Sequence, residues 1–263
     1  MSGLTGKRIS DAYKSILRVD DDVNGIDTTA ETVTDGLGTK SALQLADDQM
    51  VIRPQNDDTT SAFQVKAKGG TALLSVDTTN SLVKAGANSI NVLTQYAHFH
   101  MNSAWWAGVP DDTWSPLAFG SSNNAMFLPN MGTGDDPATS FTTADTNNQR
   151  ASELVPFLMY IPDAISIDAV YSLEGADAAT GDTTRLKIMR YDFASGSTSA
   201  LSAGVVAATG PDEVNAGSEQ AYLNTWSINN ADVSAGKVLM CFLKSDSINS
   251  DYSVTVTIKY HIV

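Results

Sequence analysis

Two stretches of strict alternation constrain this chain most. Ile165, Ile167, Ala169, Tyr171 and Leu173 alternate with Ser166, Asp168, Val170, Ser172 and Glu174. Near the end, Tyr252, Val254, Val256, Ile258, Tyr260 and Ile262 alternate with Ser253, Thr255, Thr257, Lys259 and His261. A period of two sends successive side chains to opposite faces of a strand. Each run therefore predicts a long strand with one face against a core. Residues 184–193, 222–228 and 237–244 predict three more strands, and clusters of turn residues at 175–181, 195–199, 210–217 and 245–251 divide them. No helical periodicity intervenes. Many strands without βαβ alternation predict a mostly β fold, an antiparallel β-sandwich or jelly roll over residues 91–263.

The first third reads differently. Ser41-Ala42-Leu43-Gln44-Leu45 returns as Ser61-Ala62-Phe63-Gln64-Val65, and Thr71-Ala72-Leu73-Leu74-Ser75-Val76 follows. Asp, Asn and Gly turns separate these pieces. The strands are short and hold few large apolar residues, so one copy cannot bury a two-sided core. Packing against copies of itself is the expected remedy, with Leu43, Leu45, Phe63, Val65, Leu74 and Val76 as the shared core of an intertwined homotrimer. The alternative is a small monomeric sheet packed on the rest of the chain. The expected organisation is thus an extended segment at 1–38, a β-repeat stem at 39–90 and a β-sandwich knob at 91–263. Within the first segment, residues 10–19 fit a short helix capped by Ser10 or Asp11, and equally an extended run ending in a strand at 16–19.

Charge narrows the partners. The chain of 263 residues carries a net charge of −14. Residues 1–86 hold 12 acids and 9 bases, net −3; residues 87–263 hold 18 acids and 7 bases, net −11. The acidic balance argues against nucleic acid and against anionic lipid as partners. The one cysteine, Cys241, lies in the apolar run Val238-Leu239-Met240-Cys241-Phe242-Leu243 and reads as a buried structural thiol. The start has no apolar signal-peptide core, and no apolar run reaches a membrane-spanning length. A soluble chain made in a cytoplasm is expected.

Three features invite a chemical reading. From Asp20 the sequence matches an EF-hand loop, with Asp20, Asp22 and Asn24 on alternate positions, Gly25 sixth and Glu31 twelfth. Its exit flank, Thr32-Val33-Thr34-Asp35-Gly36, is β-branched and glycine-rich and makes no helix, and Asp27 stands where an aliphatic residue belongs. An acidic turn is the expectation, with Asp20, Asp22, Asn24 and Glu31 the candidate ligands of a helix-free calcium loop. His98 and His100 share a strand face but have no nearby third ligand in sequence. Residues 100–150 set Trp105, Trp106 and Trp114 among Asp111, Asp112, Ser115, Asn123 and Asn124. Indole faces beside carboxylates and amides can hold a sugar, while large aromatics more often fill a core. Trp105, Trp106, Trp114, Asp111 and Asp112 are the candidate receptor-binding residues. No P-loop, nucleophile elbow, dinucleotide fingerprint or zinc-protease motif is present, so neither an enzyme nor a cofactor is expected.

The stretch from Gly6 to Val19 resembles the N-terminal attachment segment of tail-fibre and head-fibre proteins of tailed phages. Phe63-Gln64-Val65, Gly70 to Asn80, Val83 and Gly86 resemble the β-repeat that precedes many phage fibre knobs. Ala235 to Leu239 and Ser253 to Ile262 are similar to the last strands of β-sandwich knobs on such proteins. The resemblance implies a trimeric protein of the virion surface, anchored through Lys7, Arg8, Ile9, Tyr13, Ile16 and Leu17 to a capsid or tail protein. Its knob would point outward to a host-surface glycan or protein. Two further readings share the fold: a capsid decoration or cement protein (a head fibre), and a carbohydrate-binding module.

Overall fold

The structure is a computed structural model. It describes residues 14, 16–21, 23–86, 88, 90–102, 110–120, 130–142, 154–177, 179–217, 219–246 and 251–263. Contacts divide the chain into two compact units, Met1–Leu93 and Thr94–Val263. It is mostly β, and every strand pair among the described residues is antiparallel.

The first unit holds two four-stranded meanders. One is β1 (Arg18–Val19), β2 (Glu31–Thr34), β3 (Lys40–Leu45) and β4 (Met50–Ile52); the other is β5 (Phe63–Lys66), β6 (Ala72–Asp77), β7 (Leu82–Ala85) and β8 (Ile90–Asn91). The repeated sequence falls on β3 and β5, and its third piece on β6. Strands β2 and β3 pair on either side of residue 38. Turns carry the chain between strands: Asp35 Oδ1 accepts from the amides of Leu37 and Thr39 at 2.8 Å each. The strand expected at 16–19 begins only at Arg18, and Ile16 and Leu17 before it are exposed. Among the described residues of this unit, Val33 is the one buried apolar side chain. Leu43, Leu45, Phe63, Leu74 and Val76 are half-buried, and Val65 is exposed.

The second unit has the expected sandwich. One layer runs in the order β16 (Gln220–Thr225), β12 (Ile165–Asp177), β20 (Asp251–Ile262), β9 (Thr94–Asn102). The other runs β19 (Lys237–Ser245), β13 (Thr183–Phe193), β14 (Leu201–Thr209), β17 (Ser227–Ile228). Strand β10 (Ser115–Phe119) joins the layers, because Ala118–Phe119 pairs β9 while Ser115–Leu117 pairs β19. On the opposite side, residues 220–228 pass from β16, paired with β12, to β17, paired with β14. The sheet is therefore nearly closed, which leaves few strand edges unpaired. Short strands complete the rim: β11 (Met159–Tyr160) on β19, β15 (Glu213–Val214) on β13 and β18 (Asp232–Val233) on β12.

The core between the layers takes Phe99, Leu117, Ile188, Leu239, Cys241, Leu243, Val256 and Ile258. The β20 alternation holds from Tyr252 to Ile258, with Tyr252, Val254, Val256 and Ile258 buried, while Tyr260 is half-buried and Ile262, also expected inward, is exposed. The β12 alternation does not continue unbroken. Ile167 pairs Tyr260 and Ala169 pairs Lys259, which leaves Asp168 as an extra residue in a bulge. Past it, the inward set becomes Val170, Ser172, Glu174 and Ala176. Tyr171 and Leu173, expected on the core face, instead point outward, 40% and 58% exposed.

A second cluster fills the outer side of the β19–β13 layer. Trp114, Met131, Phe141, Leu154, Phe157, Tyr191, Met240 and Phe242 make it up, covered by described parts of the chain between 111 and 158. Gly204 lets this cover close down: a Cβ there would stand 2.5 Å from the Tyr191 ring and 2.9 Å from the Thr139 Cα.

Candidate functional site

The outer side of this second layer also carries an open cleft of about 390 Å³, lined by Asp135, Arg185, Lys187, Thr209, Asp212 and Lys244. Register sets its cations. Arg185 and Lys187 are two apart on β13 and share a face, and Arg185 stands directly opposite Lys244 on β19. Like charges facing each other across a ladder destabilise it. Acids from the surrounding loops offset that repulsion. Asp212 Oδ2 accepts from Arg185 Nε at 3.0 Å, Asp136 pairs with Lys187, and Asp112 Oδ1 lies 3.4 Å from Lys244 Nζ. The hydrogen bond to Asp212, and the charges of Asp212, Asp246 and Asp112, raise the Arg185 pKa further above its ordinary value.

Trp114 lies buried beneath the two lysines. It has no exposed surface, its Nε1–H donates to the Gly134 carbonyl at 2.9 Å, and Lys187 Nζ and Lys244 Nζ stand 5.6 and 6.0 Å from its ring centre. Lys244 also donates to the carbonyls of Thr133 and Gly134, so one ammonium ties the loop to the ring beneath it.

The cleft lining itself sets Arg185, Lys187 and Lys244 against Asp135 and Asp212. Asp212, Asp136 and Asp112 each pair with one of the three cations, so each cation there already has an acid partner. Alternating carboxylates and N–H donors do suit neutral hydroxyl groups, each of which can donate and accept.

The residues expected from the sequence fall as follows. Trp105 and Trp106 lie outside the described residues. Trp114 is corrected from a contact residue to a buried support, because its indole is more stable against Met131 and Phe242 than in water. Asp112 reaches the cleft rim through Lys244, while Asp111 bridges to Ser245 in the backbone. Of the anchor residues, Lys7, Arg8, Ile9 and Tyr13 lie outside the described residues. In the acidic loop, Asp20 pairs with Lys40 at 3.4 Å and Arg18 at 3.8 Å, and Glu31 opens β2. Asp22 lies outside the described residues. Asp21, not part of the calcium pattern, holds the turn by accepting from the amides of Val23 and Asn24, which also lowers its pKa. Among the described residues, no group of three His, Cys, Asp or Glu side chains could hold a metal ion.

His98 and His100 do share one face of β9, their rings stacked at 6.1 Å, and their Nδ1 atoms meet Thr257 and Thr255. Burial and the neighbouring His98 lower the His100 pKa. Burial pushes the Cys241 thiol well up, as a structural cysteine requires.

Arg185, Lys187 and Lys244 belong to no motif, and their one signal in the sequence is scarcity and spacing: they are three of only seven bases after residue 86, two of them at strand spacing.

No protein-family model matches the chain, and no curated protein matches it. Among solved structures, it is similar to an Eiger TNF from S. frugiperda, with a TM-score of 0.27 and 9% identity over 65% of this chain and 92% of that one. It is also similar to the CBM22-1–GH10 modules of a Clostridium thermocellum xylanase 10B, with a TM-score of 0.26 and 17% identity over 63% of this chain and 28% of that one. At these scores neither likeness extends to function.

Proposed function

We propose that this chain is a non-enzymatic structural protein of a tailed-phage particle. It works as a homotrimeric fibre, held through its N-terminal unit by a capsid or tail protein, with the β-sandwich unit meeting a host-surface glycan or protein. One observation carries the reading. The first unit spans 93 residues, yet Val33 is its one buried apolar side chain among the described residues. A unit of that size needs a substantial apolar core to offset its conformational entropy. The side chains that would supply it, Leu43, Leu45, Phe63, Leu74 and Val76, are present but only half covered by their own chain. Copies of the same meanders would cover them.

The acidic second unit and its hydroxyl-suited cleft fit the outward, receptor-facing role. Light scattering of the purified full chain tests the assembly, and a mass near three chains is expected. A single-chain mass for folded protein would remove the shared core and the fibre with it. Competition by the purified protein against phage adsorption tests the attachment role. If adsorption is unchanged at saturating protein, the host-binding role fails.

A further inference from the structure

The bulge at Asp168 has a consequence on the other side of the sheet. Past it, the outward face of β16–β12–β20–β9 becomes a grid in register. One row reads Leu223, Leu173, Thr255, His100 across the four strands. The row on one side runs from Thr225 to His98, and the row on the other from Ala221 to Asn102. None of these three rows holds an Asp, Glu, Lys or Arg. The next row is the acid pair Asp177 and Asp251, and Lys259 marks the opposite end.

Leu223 is 77% exposed, Leu173 58%, and Tyr96, beside the Lys259 end, 59%. Exposed leucines and tyrosines on a sheet face without acids, lysines or arginines, rimmed by charge, have the make-up of an interface core. We infer that this face is where the second unit packs against other copies of the same chain.

Charge selects that occupant. The unit carries net −11. The three rows carry none of that charge, so a copy brought to the unit's other surfaces meets a net acidic surface, beginning with Asp177 and Asp251 beside the rows. Like charge across an interface costs affinity, and the uncharged grid is where identical acidic units can approach. The face also follows directly on the segment argued to assemble. Strand β9, which contributes His98 and His100, starts at Thr94, immediately after the first unit ends at Leu93. The exposed Ile90, Val92 and Leu93 lead into it. The inference rests on the assembly reading above and adds to it the surface used by the second unit.

Thiol protection in the full chain tests it. The sole native cysteine, Cys241, is fully buried, so in the folded chain an introduced thiol reports alone, and in denaturant Cys241 adds the same background to every variant. L223C and, separately, L173C are placed on the face, and S202C is placed on an exposed position outside it. With a maleimide, both face variants are expected to react roughly tenfold or more slowly than S202C, and all three at equal rates in denaturant, because interface cores exclude water. Native mass is measured on each variant. Equal labelling rates in chains of multi-copy mass overturn this surface and leave the assembly reading standing. Equal rates in chains of single-copy mass, with wild type also single, overturn both.

Discussion

Lys187 Nζ stands 5.6 Å from the centre of the Trp114 ring, a ring with no exposed surface of its own. The cation is held by the buried ring below and by Asp136 and the Asp135 carbonyl beside it. Trp114→Ala would empty the space the ring fills, leave the Gly134 carbonyl without its indole donor and loosen both lysines. The expected loss is about 3–5 kcal/mol in urea unfolding. Trp114→Phe keeps much of the volume, loses the Nε1–H bond, and should cost about 1–2 kcal/mol. Wild-type stability in the alanine variant would show that the ring does not support the cleft.

Glu174 is an acid placed inside the sandwich. It accepts from Ser172 Oγ at 2.5 Å and from Asn224 Nδ2 at 3.1 Å, while Trp226 Nε1–H donates to Ser172 Oγ at 2.8 Å. Burial raises its pKa, against the two hydrogen bonds, and the charge of Glu213 adds to the rise. Because the folded pKa exceeds the unfolded one, the stability linked to its proton is full below the ordinary carboxyl value and is lost as pH rises through the folded value. Glu174→Gln keeps the shape and an acceptor oxygen without that loss. Thermal melts should show the variant a few degrees more stable than wild type at pH 8 and equal to it near pH 4. The opposite order would mean that the charged form is the one the site favours.

Asp77 shows the reverse sign. Its carboxylate accepts from the Asn80 amide, from Asn80 Nδ2 and from Lys84 Nζ at 2.8 Å, across the turn between β6 and β7. Led by the Lys84 and Asn80 side-chain bonds, these partners lower its pKa from 3.8 to about 2. The stability it gives is therefore present above the unfolded value and lost as pH falls through the folded one. Amide exchange in β6 and β7 should accelerate between pH 4 and pH 2 beyond the intrinsic pH trend. In Asp77→Asn it should be faster already at pH 6, with no further step on acidification. An acid step of the same size in that variant would assign it to another group.

Gly204 has no room for a methyl group. The Tyr191 ring it faces is wholly buried, and its hydroxyl donates to the Ala138 carbonyl at 2.9 Å. Gly204→Ala must push that ring or the Thr139 backbone, at a cost of about 1–3 kcal/mol. Gly204→Ala paired with Tyr191→Leu should cost less than the sum of the two single changes, because the leucine gives the methyl space. Additive costs in the four-variant cycle would rule out the clash.

Local chemistry by itself determined a large part of this protein. Period-two runs of β-branched and aromatic residues with Gly, Asp and Asn turns between them leave little but antiparallel strands, and Tyr252 to Ile258 could be assigned to the core from the alternation alone. The thinness of the repeats at 41–76 likewise announced how little apolar side chain the described residues of the first unit bury. The tertiary structure decided what alternation cannot carry past an irregularity. One extra residue in β12, Asp168, sits opposite no residue of β20 and meets His261 at 2.8 Å. That residue reverses the facing of everything after it. It turned Tyr171 and Leu173 outward and Glu174 inward. Trp114 and the two lysines above it were equally beyond a linear reading. Their meeting depends on the β13–β19 register and on a loop folding back over that layer, and contacts between residues so far apart in sequence leave no local period to read.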